Sequence, residues 1–234
     1  MLVKLARGLR KFYGALLLWT VTGAPGELGY ALRRRYWRSR LRDLGENVRF
    51  EVGIYIQNPQ HVSIGDGCWI DQNVMILAGP DPSLRERTVI PNPQFVGKAA
   101  VVHIGKHVHV GAFSIISGIS SGVYISDDCC CAAFCRIYAF SHHYRSPFKP
   151  HDTSVNFGAQ VEHSRQSMIE GPIFLGRNTG MALGVTVLPG AAISENCFVK
   201  INSVVGAGQT IPSNTVVCGD PAERVGDRFF EKGQ

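Results

Sequence analysis

Residues 175–217 read LGRNTG MALGVT VLPGAA ISENCF VKINSV VGAGQT IPSNTV V, and every sixth residue is aliphatic: Leu175, Met181, Val187, Ile193, Val199, Val205, Ile211 and Val217. Leu, Ile, Val and Met together make up roughly a quarter of the chain, so eight successive matches by chance would occur on the order of once in ten thousand registers or fewer. Two residues before each mark the side chain is small or compact (Thr179, Val185, Ala191, Cys197, Ser203 and Thr215), with Gln209 out of line. A period of six keeps no amphipathic stripe on one side of a helix. It suits a flat strand that turns a corner every six residues and presents one large and one small side chain inward, and three such faces close a triangular coil.

The same grammar runs through Ile64, Ile70 and Ile76, then Ile104, Val110 and Ile116, then Ile125, Cys131 and Ile137. Two segments break it: 77–101, which carries Pro80, Pro82, Pro91 and Pro93, and 138–172. Each follows the third mark of a triplet, so both are expected to leave the prism at one corner, where solenoid insertions commonly gather a functional face. The resulting division is a basic helical segment at 1–45, an all-β left-handed parallel β-helix at 46–225 with loops 77–101 and 138–172, and a tail at 226–234. In this register Cys68, Cys129, Cys135 and Cys197 take the small inward position and Cys131 the large one. They read as compact apolar fillers. No Cys-x2-Cys pair is matched by a second, so no metal is expected. An odd count of seven Cys, mostly inward, favours a reducing compartment over a disulfide scaffold.

The formal charge of +6 is unevenly placed. Residues 1–42 hold ten of the 24 Lys and Arg with Glu27 as their one acid, a net +9; the remainder, with 14 basic and 17 acidic residues, is −3. Basicity confined to one end, with no groove-reading motif, argues against nucleic acid as a partner. Leu2, Leu5, Leu9, Phe12 and Leu16 recur three or four apart, with Lys4, Arg7, Arg10 and Lys11 on other faces. Such a helix either rests on an anionic membrane surface or caps the solenoid end, and these residues alone do not choose. The apolar run Ala15–Val21 is too short to span a bilayer. The chain is placed in the cytoplasm, with peripheral membrane contact through residues 1–42 as the first of those two options.

Candidate chemistry lies in the second loop. It reads Tyr138-Ala-Phe-Ser-His142-His143-Tyr144-Arg145, continues to His151, Asp152, Glu162 and His163, and so holds four of the eight His. A rigid scaffold can position an imidazole on a loop while the loop shapes a pocket. His103, His107 and His109 sit at outward positions and read as a solvated or subunit-facing patch.

The repeat, with Val187-Leu-Pro-Gly190 and Val205-Gly-Ala-Gly208, the close Cys218-Gly-Asp-Pro-Ala222, and Ile137-Tyr-Ala-Phe-Ser-His142 after a completed coil resemble the hexapeptide-repeat acyltransferases over roughly residues 45–225. In particular they resemble the sugar and polysaccharide O-acetyltransferases. The resemblance implies a homotrimer with interfacial active sites, acetyl-CoA as donor substrate, a sugar or glycan acceptor from surface polysaccharide or lipid-linked glycan assembly, and His142 as general base with His143 as the fallback. Imidazole suits that role because its ordinary pKa near 6.5 leaves it neutral at physiological pH. It also implies CoA contacts at Leu183, Gly184, Ile201, Asn202, Gly206, Ala207 and Arg224. The sequence departs from the family pattern at Asn178-Thr-Gly-Met181, where many relatives carry Trp, and at Lys200-Ile-Asn202, where they often carry Gly-Ala-Gly. Ser114 stands in the region of an acceptor-assisting Asn. Alternatives are an N-acyltransferase acting on a nucleotide-linked amino sugar and a non-catalytic structural β-helix. A zinc carbonic anhydrase on the same solenoid would need three converging His that no spacing here provides.

Overall fold

A computed structural model describes residues 2–158 and 160–230. The end of the expected tail, 231–234, and the side chains of the amphipathic pattern from Leu2 to Arg7 and from Leu9 to Lys11 lie outside the described residues. The chain is mostly β, with two α-helices at its start: α1 (Leu2–Gly23) and α2 (Gly26–Arg38). Short strands then wind through three parallel sheets. A first face runs from Asp43–Leu44 to Thr210–Ile211 and a second from Arg49–Phe50 to Thr215–Cys218, closed by an antiparallel return strand, Glu223–Asp227. A third runs from Tyr55–Gln57 to Val204–Val205.

The pairing register follows the six-residue marks. On the first face Leu44 pairs with Ile64, Ile64 with Ile104, Ile104 with Ile125, Ile125 with Leu175, Leu175 with Ile193, and Ile193 with Ile211. The second and third faces repeat this through Ile70, Val110, Cys131, Met181 and Val199, and through Ile76, Ile116, Ile137, Val187 and Val205. Leu44, at the start, is half-buried, and all the other marks are buried, as are Cys68, Cys129, Cys135 and Cys197. Stacking like on like along the axis fills the prism without voids, which is why a one-residue slip would turn every core side chain outward.

Corners are made by single residues in the left-handed region. Asn47, Gly67, His107, Asp128, Asn178, Asn196 and Asn214 turn the first face into the second, and Gly53, Asn73, Phe113, Phe134, Gly184 and Asn202 turn the second into the third, all at φ between 54 and 74°. Each lies three residues after a mark. Asn and Gly tolerate this conformation best, which explains a second hexad of Asn and Gly running beside the aliphatic one.

α2 buries Gly29, Arg33 and Trp37, one stripe four residues apart, against the first coil, where Trp37 meets Phe50 at 6.5 Å between ring centroids. Arg33 is buried and ties the hairpin down. Its Nε donates to Phe50 O (2.7 Å), and Nη1 donates to Ala24 O and Val21 O at the end of α1. The capping element is therefore α2 together with the last turn of α1.

Candidate active site

Both period-breaking loops leave the third face, after Met75–Leu77 and Arg136–Tyr138, and rejoin the first at Val102–Ile104 and Ile173–Leu175. There they build a sheet of their own. Phe140–His142 runs antiparallel to Ser167–Glu170, which runs parallel to Glu86–Val89. At the seam the prism's Gly190 N donates to Gly171 O (3.0 Å), while between the loop strands Gly171 N donates to Ala139 O (2.9 Å) and Ile90 N to Glu170 O (2.7 Å). Asn92 Nδ2 donates to Pro172 O and Ala191 O, fixing the first loop against the next coil. The loop sheet is thus clamped to the solenoid by backbone and amide hydrogen bonds, the arrangement that positions a reactive side chain best.

His142 ends its strand opposite Met168, is exposed, and has no hydrogen-bond partner for its ring among the described residues. His143 differs. Its ring stacks on Tyr144 (4.6 Å), its Nδ1 is engaged by the Arg145 carbonyl and its backbone N donates to Ser167 O. Donation from Nδ1 to the Arg145 carbonyl leaves His143 Nε2 with its lone pair, so both imidazoles can take a proton, His143 in a fixed tautomer and His142 with both ring nitrogens open.

Strand alternation puts Phe140, His142, Met168, Glu170 and Arg87 on one face of the loop sheet. Phe140 lies 5.3 Å from the Arg85 guanidinium carbon and 5.8 Å from that of Arg87. Arg85 pairs with Asp81 (2.8 Å); Arg87 pairs with Asp81 (3.2 Å) and Glu170 (3.1 Å) and donates to Ser120 Oγ. Burial pushes the Asp81 carboxyl up, but hydrogen bonds from Ser83 and Arg85 outweigh it and hold the group below its ordinary value. Two guanidiniums matched by two carboxylates leave no net charge. Beside them an open cleft of about 560 Å³ is lined by Asp81, Pro82, Ser83, Leu84, Arg85, His163 and Ser164. Nothing periodic in the sequence marks this cluster; only the unusual density of polar residues in a Pro-rich loop could have pointed to it.

The remaining expected contacts fall on different corners. Leu183, Gly184, Ile201 and Asn202 share the corner between the second and third faces, while Gly206 and Ala207 follow Val205 at the corner the loops occupy, two coils beyond Ile137. Arg224 lies on the return strand and pairs with Asp227 (2.7 Å). On the second corner Phe113 and Phe134 stack at 5.3 Å and 7°, both exposed and both at positive φ. With the exposed Leu183 and Ile201 they form one apolar ridge over four coils. A bulky residue in the left-handed region costs on the order of 1–3 kcal/mol and persists because the corner of the coil imposes that conformation. The signal for this ridge was available: Phe occupies two slots of the Asn and Gly hexad.

Ser114 is buried and inward, donating to Ala132 O and accepting from Cys135 N, so it supports the coil and faces no acceptor. On the outer faces His103 stacks on Tyr124 (4.5 Å), His107 meets Asp128, and His109 joins Asp71 (3.0 Å) to Cys130 (3.7 Å). Among the described residues no group of three or more His, Cys, Asp or Glu could hold a metal ion.

No family model matches the chain, and no curated protein matches it. Solved structures do. A variant of AntD, an N-acyltransferase from Bacillus cereus in complex with dTDP and coenzyme A, is similar with a TM-score of 0.67 at 17% identity, covering 84% of this chain and 89% of that one. A hexapeptide-repeat acetyltransferase from Vibrio cholerae O1 biovar eltor complexed with acetyl-CoA gives 0.53 at 21% identity, over 96% and 89%. A maltose O-acetyltransferase from Clostridium difficile 630 gives 0.53 at 18%, over 92% and 84%. The fold of this chain is the one on which these acyltransferases, hexapeptide-repeat enzymes among them, are built.

Proposed function

We propose that the protein is an acyltransferase that moves an acetyl group from acetyl-CoA to a sugar hydroxyl of a surface polysaccharide or lipid-linked glycan. In this reading it works as a homotrimer of left-handed prisms. The observation that carries it is the His142 imidazole, unpartnered and mounted on a strand clamped to the solenoid. An imidazole nitrogen removes the acceptor hydroxyl proton as the oxygen attacks the thioester carbonyl. The tetrahedral intermediate then collapses, the C–S bond breaks, and the imidazolium returns the proton to the CoA sulfur.

Within one prism His142 and the ridge of Phe113, Phe134, Leu183 and Ile201 belong to different corners. A second copy that lays its ridge beside the first copy's loop sheet brings them together, and repeating that heterologous contact around a threefold axis closes a ring. The pantetheine arm then follows Leu183 and Ile201, with Arg224, released from an exposed ion pair of little strength, available to phosphate. The seven cysteines, five of them buried in the core, suit a reducing compartment, which supports a cytoplasmic reaction.

The alternative, N-acylation of a nucleotide-linked amino sugar, draws on the likeness to AntD with its bound dTDP. The balanced charge of Arg85, Arg87, Asp81 and Glu170 favours neutral sugar hydroxyls over a diphosphate. Thiol release from acetyl-CoA against a panel of sugars, lipid-linked glycans and nucleotide sugars tests this. Acceptor-dependent turnover that falls about 100-fold or more in His142→Ala supports the reading. Failure to bind or turn over acetyl-CoA with any acceptor returns the protein to a structural role.

A further inference from the structure

We propose that α1 lies in the surface of an anionic lipid bilayer and holds the enzyme there by its solenoid's first coil. From Phe12 to Gly26 the chain carries no charge. Within that stretch Phe12, Tyr13, Leu16, Leu17, Leu18 and Trp19 are between 37 and 75% exposed. Leu16 to Trp19 are consecutive, and at about 100° per residue they face nearly all directions around the helix axis. A second helix or another copy of the chain would cover one stripe; a lipid interface covers most of the circumference. Among the described residues, the end of α1 is built into the protein through buried Val21, whose carbonyl accepts from Arg33, and the Thr22 carbonyl, which accepts from Gly53 N, while Leu18 edges a cleft beside Trp37.

Charge points the same way. Lys4, Arg7, Arg10 and Lys11 precede the apolar stretch, and Arg34, Arg35, Arg38, Arg40 and Arg42, all exposed, follow it. Glu27 is the only acid among these 42 residues; Arg38 and Arg42 pair with Glu46 and Asp43 just beyond, and Arg34 and Arg35 are left to seek lipid phosphate and serine carboxylate. Trp19 and Tyr13 are the side chains that settle at the headgroup level. No helix of the described residues is long and apolar enough to cross a membrane; the uncharged part of α1, twelve residues from Phe12 to Gly23, would extend only about 18 Å. It lies in the surface and does not span it. The loop that carries His142 leaves the third face three strand steps from the first coil, about 14 Å along the axis.

The test is flotation of the full-length protein with vesicles of phosphatidylcholine alone and with about one third phosphatidylserine. Binding to the anionic vesicles that weakens with salt is expected. It should fall at least tenfold in Leu16→Asp/Trp19→Asp and several-fold in Arg34→Gln/Arg35→Gln, with the thermal unfolding of the solenoid unchanged in both. Three results overturn the proposal: no flotation with either vesicle, equal salt-insensitive flotation with both, or a changed oligomeric state of Leu16→Asp/Trp19→Asp without loss of vesicle binding. The last would mean that another copy of the chain covers the helix.

Discussion

Replacing Gly171 by Ala places a methyl group where three structural parts meet. The new Cβ would stand 2.6 Å from Gly190 N, 2.6 Å from Ile90 O and 2.8 Å from Gly190 Cα, all backbone atoms. Restoring ordinary contact requires a displacement of roughly 1 Å, and no side-chain rotation can supply it. Two hydrogen bonds flank that gap: Gly190 N to Gly171 O, which joins the loop sheet to the prism, and Ile90 N to Glu170 O, which pairs the two loop strands. Losing one or two of them costs about 1–3 kcal/mol each in a buried seam, so a total of about 2–4 kcal/mol is expected. For a chain of this size that lowers Tm by roughly 5–12 °C. Glu170 is the register partner of Phe140, two residues from His142, so acyl transfer should fall by more than the stability loss explains. Differential scanning calorimetry measures the first effect and thiol release the second. Gly226→Ala is the control, since nothing lies within 4 Å of its Cβ and its φ is not positive. A Gly171→Ala protein that melts within 1 °C of the parent would refute the seam as the anchor of the site.

Arg33→Met leaves the carbonyls of Phe50, Val21 and Ala24 without this donor and should destabilise the protein by about 2–4 kcal/mol, read by chemical denaturation, with the helical hairpin lost before the coils. Cys130 is the exposed cysteine, while burial pushes Cys68, Cys129 and Cys135 up to about 11 and Cys131 well above its ordinary value. Maleimide followed by peptide mapping should mark Cys130 first. Its rate should be below that of free cysteine at pH 7.5, because partial burial and the Asp71 charge raise its pKa as well. Burial against Tyr124 lowers the pKa of His103, with Asp127 and Asp43 opposing. The unfolded chain therefore takes up its proton first as pH falls through about 6.5, so stability should drop below that pH, and His103→Phe should flatten the drop in thermal melts.

Much of the fold was legible because the solenoid writes its core into a local period: the aliphatic marks named which residues would lie above one another, and the strands pair in that register. Gln209, the one misfit at the small inward position, closes the last coil, where Oε1 accepts from Gly206 N and Nε2 donates to Ala222 O. The loop sheet was not legible, because Glu86–Val89 and Ser167–Glu170 find each other across some 80 residues without any repeat to set their register. The Arg85, Arg87, Asp81 and Glu170 network depends on that pairing and was hidden with it. The apolar ridge needed the corner conformation, which tells Phe113 and Phe134 apart from ordinary surface aromatics. The sequence placed His142 in the loop but could not show that Tyr144 and the Arg145 carbonyl hold His143, nor that Ser114, standing where relatives carry an acceptor-assisting Asn, turns inward.

Subunit complementation between two inactive variants tests the interfacial site most directly. In the proposed mechanism His142→Ala lacks the base and Ile201→Asp spoils the ridge. Mixed by coexpression, random rings would carry an intact base beside an intact ridge at about one quarter of their interfaces. The account expects acyl transfer near one quarter of the parent level from the mixture, with each variant alone near background. Mixed trimers that form and stay inactive would contradict it.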